Sequence, residues 1–469
     1  MTIEREIELT RGEGGRVKWQ AYGLDEIDLH IPPTVYPPRE DTVLLDRALA
    51  ELGSGCGRHL LEIGCGSGAV SISSALRGWK VSACDVNPLA IAATRGNATP
   101  LGLGLDTEIR EGGPGDSDNW QPNEGADVIA WNLPYLEPQP GGTLGPMEDS
   151  ALIGSGEANL LLNALTESPA LLNQGGIILM LHSSNEIGHD LGRNWRKAGW
   201  ATRNVSQTVL GDERLTVVAC WRPFENAEIH RLKSCKSTND ELLNLGTAVQ
   251  GTFVSTEEQV SGRGYAGREW FNSPRGFMGS WLLSEKSIER GPEVLQLAST
   301  VAVLDAFSVL LNHGLPSHSW IHGSNLEEYG LRVKWPNDIW LRTSTQLGKL
   351  CGVLVEGRTQ GDDVRIILGI GINRTSVEEF ADSIGWDQIS PGSFEELLPI
   401  MHASIASALE THPLIPDVPG DDVLNSIYTS MRWTLSEGFP RAFGLDSKGG
   451  LRTQAGMIRS TDEIEWNWL

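Results

Sequence analysis

The chain has no C-x-x-C pair anywhere; its six cysteines, at 56, 65, 84, 220, 235 and 351, are scattered singly. Structural zinc sites use closely spaced ligand pairs, so a thiolate metal centre is not indicated and reduced core thiols are expected. Positive charge is also short. Lys and Arg number 37 against 61 Asp and Glu, a net charge of −24. A surface of that sign repels phosphates, which argues against DNA and anionic membranes as partners. Any anionic small substrate would then need local islands of Arg and Lys. No apolar run reaches the roughly 18 residues that a membrane span requires. The start carries Glu4, Glu6 and Glu8, unlike a secretory signal or an Arg-rich transit peptide. A cytoplasmic protein is the expectation. Walker A segments, internal repeats and low-complexity tracts are absent as well.

What is present is enough chain, 469 residues, for two or three cores. Residues 35–220 alternate strand-like and helix-like segments. His59–Ile63, Lys80–Cys84, Ala126–Trp131, Gly176–Leu181 and Leu215–Trp221 read as strands, Ala69–Arg77 and Pro88–Gly96 as helices. That alternation predicts a mainly parallel sheet covered on both faces. A polar connector at Arg222–Glu228 ends the series. Beyond it, strands are expected at Gly279–Leu283, Leu331–Lys334 and Val364–Leu368, and a helix at Val294–Leu311. Residues 378–415 look helical, and a Pro- and Asp-rich link at Pro413–Asp422 precedes short strands.

Glu62-Ile63-Gly64-Cys65-Gly66-Ser67-Gly68 follows the first of those strands and opens a helix. Glycines let the backbone turn tightly and approach a ligand that a β-carbon would push away. Asp85 ends the next strand, about 20 residues on, where a carboxylate can accept both ribose hydroxyls. A dinucleotide and S-adenosylmethionine both fit this pattern. Two further segments favour methyl transfer: Val35-Tyr36-Pro37-Pro38-Arg39-Glu40-Asp41-Thr42 ahead of the loop, and Asn132-Leu133-Pro134-Tyr135 at the end of the fourth strand. Together they resemble the HemK-type methyltransferases, which methylate the side-chain amide of glutamine in translation release factors. The resemblance implies that Glu62, Gly64, Gly66, Gly68, Asp85 and Asn132 bind S-adenosylmethionine. It also implies that Asn132 and the carbonyl of residue 133 accept the two amide N–H groups while Tyr135 packs the amide plane. An amide nitrogen is a poor nucleophile and has to be held in line with the methyl group. Leu133 replaces the first proline of the family's N-P-P-Y, so a fixed φ is lost while the carbonyl remains. The short amino-terminal region resembles the archaeal and eukaryotic branch, which implies a small zinc-binding activator subunit.

Five segments follow in one order: Ser237-Thr238-Asn239, Gly262-Arg263-Gly264-Tyr265-Ala266-Gly267-Arg268-Glu269-Trp270, Lys334-Trp335-Pro336-Asn337-Asp338, Lys349-Leu350-Cys351-Gly352-Val353-Leu354-Val355-Glu356, and Gly369-Ile370-Gly371-Ile372-Asn373. Gly262 to Gly267 spells G-x-G-x-x-G. Polar Ser255–Gln259 before it and Phe271-Asn272-Ser273-Pro274 after it lack the strand and helix of a dinucleotide fold. A glycine loop with two arginines suits a polyphosphate instead. The set resembles the catalytic domain of biotin protein ligases. That resemblance implies biotin, ATP and Mg²⁺ as ligands and a biotin carboxyl carrier protein or domain as acceptor. Lys349, Arg263, Arg268 and Asp338 are the implied catalytic residues. Biotin would be held by Ser237, Thr238, Gln259, Gly262, Arg263 and Lys349. ATP would be held by Arg268, Trp270, Asn337, Asp338 and Asn373, with Asp338 the metal ligand. The family loop commonly reads G-R-G-R-x-G. Tyr265 stands in place of its second arginine, which implies looser retention of the adenylate and labelling of bystander lysines.

The expected architecture is α/β throughout: a Rossmann-like class I methyltransferase with a seven-stranded, mainly parallel sheet over 1–223, an α+β biotin ligase catalytic domain over 229–415, and a small, SH3-like β-domain over 423–469. Three functional readings stay open. One is a bifunctional enzyme acting on a carrier lysine and a protein glutamine. Another is a ligase with a non-catalytic methyltransferase-like scaffold. The last is a methyltransferase serving biotin precursor synthesis, fused to the ligase.

Overall fold

The computed structural model describes residues 14–105, 108–116, 118–134, 156–183, 186–264, 267–271, 273–311, 330–360, 363–390, 394–417, 420–435 and 438–466. These form two compact units, one running through Trp221 (Arg196–Ala201 excepted) and the other starting at Arg222.

The first unit opens with a hairpin that the sequence reading missed, β1 (Gly15–Trp19) and β2 (Ile27–Ile31), paired antiparallel from Gly15↔Ile31 to Trp19↔Ile27. Strand β2 alternates buried and exposed residues, as a strand with one wet face does. Helix α1 (Glu40–Glu51) follows. Then come β3 (His59–Ile63), α2 (Ala69–Leu76), β4 (Lys80–Asp85), α3 (Pro88–Ala98), β5 (Ile109–Glu111), β6 (Ala126–Asn132), α4 (Glu157–Glu167), β7 (Leu172–Ser183), α5 (Glu186–Lys197), β8 (Ala201–Leu210) and β9 (Glu213–Trp221). They build a seven-stranded sheet ordered β5-β4-β3-β6-β7-β9-β8. Pairing is parallel from β5 to β7, and β9 runs antiparallel to β7. All five residues of β3 are buried, because both faces of a parallel sheet are covered. Strand order reverses between β3 and β6, and ligands of open α/β sheets bind outside the strand ends at such a point.

The second unit comprises β10 (Ile229–Cys235), α6 (Thr238–Asn244), β11 (Phe253–Gln259), β12 (Gly262–Arg263), β13 (Glu269–Trp270), β14 (Phe277–Leu283), α7 (Pro292–Leu310), β15 (Leu331–Lys334), β16 (Asp338–Arg342), β17 (Leu347–Gln360), β18 (Asp363–Ile372), α8 (Phe394–Leu409) and α9 (Gly420–Leu435). Its sheet runs β10-β11-β14-β18-β17-β16-β15. Only β10 and β11 pair in parallel; the rest are antiparallel. Alternation along β11 and β14 sends side chains to both faces. Val254 and Leu282 pack with Ile367 and with Leu242 of α6. Phe253 and Trp281 face the other way, with Trp281 Nε1 donating to His402 Nδ1 of α8 at 3.1 Å. Burial in that aromatic surround pushes the His402 imidazole down to about 4, so the ring is neutral near pH 7. Helix α7 is long and apolar enough to cross a membrane by composition, yet it lies buried in this core.

Three expectations are corrected here. Residues 378–393 are not helical where described: Val377–Phe380 form a β-bridge and Trp386–Gln388 one short 3₁₀ turn, so the helix is confined to Phe394–Leu409. Residues 420–435, read as linker and the start of a β-domain, are helix α9. Only 438–466 form small strands, β19 (Gly438–Phe439), β20 (Ala442–Leu445), β21 (Leu451–Thr453), β22 (Gly456–Ile458) and β23 (Glu465–Trp466), in a two-stranded and a three-stranded sheet. Ser255–Gln259 is also strand, part of β11. Rejection of a dinucleotide loop therefore rests on the absence of a following helix. All six cysteines are free thiols, five buried and Cys56 exposed.

Candidate functional sites

In the first unit, a cavity of about 420 Å³ opens at the switch point between β3 and β6. Gly64, Gly66, Asp85 and Asn132 line it, as the sequence predicts. Asp85 Oδ2 accepts from Gly66 N and Oδ1 from Asn87 N, each at 2.9 Å. Burial nonetheless raises its carboxyl above the ordinary range. The segment 34–41 folds over the same cavity and contributes Thr34, Val35, Tyr36 and Asp41.

Two predicted residues sit elsewhere. Gly68 is not on the wall; it caps α2 with φ 83°, and a β-carbon there would lie 2.8 Å from the Thr94 side chain. Its glycine serves helix packing. Glu62 is turned into the core, where Ser71 Oγ donates to it. Burial pushes its carboxyl up to about 8. In the unfolded chain the same group ionises near 4.5. The folded state therefore holds the extra proton between those limits, and stability falls as pH rises through that window. Glu62→Gln should flatten this slope. Thermal midpoints measured at pH 5.5 and pH 8 should differ less in the variant than in the wild type; equal differences would refute the assignment.

The loop after β5, Gly112-Gly113-Pro114-Gly115-Asp116, lines the cavity too and was missed. Its density of glycine directly after a strand was the available signal. Tyr135 lies outside the described residues.

Asn132 carries the most telling geometry. Its Nδ2 donates to Asp41 Oδ2 at 2.9 Å. The other Asp41 oxygen accepts from Thr42 N at 2.6 Å and Thr42 Oγ1 at 3.1 Å. A carboxylate is acceptor-only, so it fixes which end of the Asn132 amide faces it. Asn132 Oδ1 is left buried and without a partner among the described residues. A buried acceptor in that state costs free energy until something donates to it. Asp41, Asp85, Asp116 and Glu157 all line the cavity, and no Lys, Arg or His does among the described residues.

In the second unit, a narrow groove is lined by Ser237, Thr238, Gln259, Arg263, Trp270, Asn337 and Lys349. Gln259 Oε1 accepts from Thr238 N at 2.9 Å and Thr238 Oγ1 at 3.2 Å. The glycine loop is pinned by a two-residue ladder, Gly262↔Trp270 and Arg263↔Glu269. Trp270 lies flat over the sheet. β-Carbons at Gly371 and Gly352 would come within 2.5 and 2.7 Å of its ring, so both positions need glycine. Open space in the groove is about 50 Å³, room for a few waters.

Lys349 Nζ sits 2.7 Å from Asp338 Oδ1 and 5.2 Å from the centre of the Trp270 ring. Two elements aim it: β17 and the isolated bridge to Ser383, with Lys349 N donating to Asp382 O at 2.6 Å. Asn373 is not on the groove wall. Its Nδ2 donates to Lys349 O at 3.1 Å, which makes it a prop for the Lys349 backbone, while its Oδ1 is buried unpartnered. Asn337 Nδ2 donates to Val353 O at 3.0 Å. Arg268 is exposed at the loop's end. Lys334, quoted in its motif without a role, is a residue that the sequence reading missed. Burial, then the neighbouring Lys349 and Arg268 cations, lower its ammonium pKa, with Asp338 opposing. Lys334, Lys349 and Arg268 thus stand near one another with Asp338 and Asp382 among them, a local gathering of cations of the kind an acidic protein needs for polyphosphate. Tyr265 is outside the described residues. No group of three His, Cys, Asp or Glu placed to hold a metal occurs among the described residues. Asp338, already paired to Lys349, could serve Mg²⁺ only as an added ligand to an ion held by phosphate oxygens.

Residues 229–373 match the model of the Biotin/lipoate A/B protein ligase family. The second unit carries a ligase domain of that family. The Escherichia coli bifunctional ligase/repressor BirA is 36% identical over 155 residues, 32% of this chain and 42% of BirA. The Aquifex aeolicus biotin protein ligase in complex with biotin and ATP aligns at 25% identity over 51% of this chain and 97% of that one, TM-score 0.38. The first unit is similar to glutamine methyltransferases. A provisionally named protein N5-glutamine methyltransferase of Methanocaldococcus jannaschii is 27% identical over 202 residues, 42% of this chain and 98% of that protein. The human MTRF1L release factor glutamine methyltransferase is 32% identical over 181 residues, 35% of this chain and 53% of that protein. The chain joins a domain that matches the Biotin/lipoate A/B protein ligase family to a methyltransferase-like domain, and it spans about half or less of the BirA and human relatives.

Proposed function

We propose that the second unit biotinylates a lysine of a carrier domain and that the first unit methylates a protein glutamine. In the ligase reaction, a biotin carboxylate oxygen attacks the α-phosphorus of ATP and the bond to the β-phosphate oxygen breaks, releasing pyrophosphate. A lysine amine then attacks the acyl carbon, the acyl–phosphate bond breaks with AMP leaving, and the amine proton goes to solvent. The first step presses two anions together, and Lys349 supports it by lying between a carboxylate and the groove that would hold the acyl chain. That position carries the reading. Lys334 and Arg268 are suited to the departing pyrophosphate. The acceptor is a biotin carboxyl carrier domain, Mg²⁺ arrives with the nucleotide, and the protein works in the cytoplasm.

For the first unit the carrying observation is the orphaned Asn132 Oδ1. A glutamine amide can donate to it and to the Leu133 carbonyl while its nitrogen attacks the sulfonium methyl group. The carbon–sulfur bond breaks, S-adenosylhomocysteine leaves, and the proton lost by the methylated nitrogen passes to solvent. An acid-lined wall favours a cationic methyl donor and a neutral amide. It disfavours an acceptor bearing a carboxylate, which counts against the reading in biotin precursor synthesis. Release factors supply such an amide. The test is two assays on one preparation: biotin, MgATP and a carrier domain, with pyrophosphate and carrier mass read out, and a release factor with labelled S-adenosylmethionine. Absence of pyrophosphate overturns the first half; absence of methyl transfer favours the scaffold reading of the second.

A further inference from the structure

The ring end of the groove is wired to its glycine loop through a residue with no role so far. Glu356, on β17, accepts from Asn239 Nδ2 and from Arg263 Nη2, the latter at 3.2 Å. Arg263 is in turn clasped by Asp240, Nη1 to Oδ2 and Nη2 to Oδ1, both at 2.8 Å. On the other side of Asn239, its Oδ1 accepts from Ser280 Oγ at 2.6 Å. Ser280 Oγ lies 2.7 Å from Thr238 Oγ1, which reaches Gln259 Oε1. Ser280 is fully buried, and Thr238 and Asn239 are nearly so.

We infer that Glu356 is a positioning residue that sets the hydrogen-bond polarity of the ring-recognition residues and couples them to the glycine loop. This rests on the proposed ligase reading and deepens it. The argument is one of donors and acceptors. An ionised carboxylate can only accept, so it draws the Asn239 NH₂ toward itself and turns Oδ1 toward Ser280. Ser280 has one hydroxyl proton, and Asn239 Oδ1 takes it. The Ser280 oxygen is then an acceptor toward Thr238, whose proton goes to Ser280 or to Gln259. Each choice follows from the one before. A urea-like ring, with two N–H donors and a carbonyl, needs donors and acceptors in a matching pattern, and the carboxylate fixes the Asn239 and Ser280 part of it, leaving Thr238 to donate to Ser280 or to Gln259. The same carboxylate oxygen, Oε2, accepts from both Asn239 Nδ2 and Arg263 Nη2, so one acceptor joins the glycine loop to the chain of side-chain bonds.

Glutamine at 356 is nearly isosteric but can donate as well as accept, so the polarity is no longer imposed and the contact with Arg263 loses its ionic partner. Charged hydrogen bonds of this kind correspond to about tenfold or more in affinity. Using the full-length protein, Glu356→Gln should raise the biotin Kd by about tenfold, with the pyrophosphate-release rate at saturating biotin and the KM for MgATP within about twofold. Glu356→Asp keeps an acceptor-only group and should recover most of the biotin affinity. In a double-mutant cycle, Arg263→Lys and Glu356→Gln should be non-additive in biotin Kd. An unchanged biotin Kd in Glu356→Gln overturns the inference, as does an equal fall in turnover and in affinity for both substrates. Failure of the wild-type protein to release pyrophosphate from MgATP with biotin would instead strike the ligase reading.

Discussion

Replacing Lys349 by alanine is expected to slow pyrophosphate release by about a thousandfold, with much smaller changes in thermal midpoint. A fixed cation in a site closed to water stabilises developing charge at no reorganisation cost, and losing one such group typically removes two to three orders of magnitude. Lys349 meets the conditions. Its ammonium is mostly buried, held at 2.7 Å by Asp338 and roofed by Trp270. Its backbone is tied by Asp382 and Asn373. The Asp338 partner keeps the charge in place before substrates arrive. A variant that releases pyrophosphate at more than a tenth of the wild-type rate would remove Lys349 from the reaction. Lys349→Arg should recover little, because a planar guanidinium does not fit a point-charge position flanked by an indole.

Asn132→Ala should lower glutamine methylation by about a hundredfold or more, since the nucleophile loses its positioning acceptor. The more discriminating variant is Asp41→Asn. Asparagine at 41 can donate to Asn132 Oδ1, which lets the Asn132 amide flip and spends the acceptor that the substrate needs. Activity should fall nearly as far as in Asn132→Ala, while the Kd for S-adenosylmethionine, read by calorimetry, stays within about threefold. Full activity in Asp41→Asn would show that the Asn132 orientation does not depend on the carboxylate. A collapse of S-adenosylmethionine binding would show instead that Asp41 shapes the donor pocket.

The chemistry-bearing residues were largely legible because they fall in contiguous motifs. The glycine loop, Asp85, Asn132 and the ligase segments are each short and contiguous in sequence; strand–helix alternation located those of the first unit, and the ordered set of segments located those of the second. Errors arose where local pattern was ambiguous. The stretch 420–435 follows a Pro- and Asp-rich link and mixes polar with apolar residues, so α9 was read as the start of a β-domain. The apolar residues of 378–390 suggested a helix, but the backbone there bonds in bridges and turns, in part to Lys349 and Asn373. Glu62 sits in a motif and was read as a cofactor ligand; the structure pairs its buried carboxyl with Ser71.

The sequence by itself determined the two domain types, their order, and which side chains bring charge, side-chain amides and glycine freedom to each site. Only the tertiary structure decided how those side chains are oriented and held. Asp41 and Asn132 are 91 positions apart, and Arg263 and Glu356 are 93. A motif states which residues are present within a few positions. The direction in which an amide points or the carboxylate that clasps an arginine is set by elements far away in the chain, brought alongside when the sheets assemble.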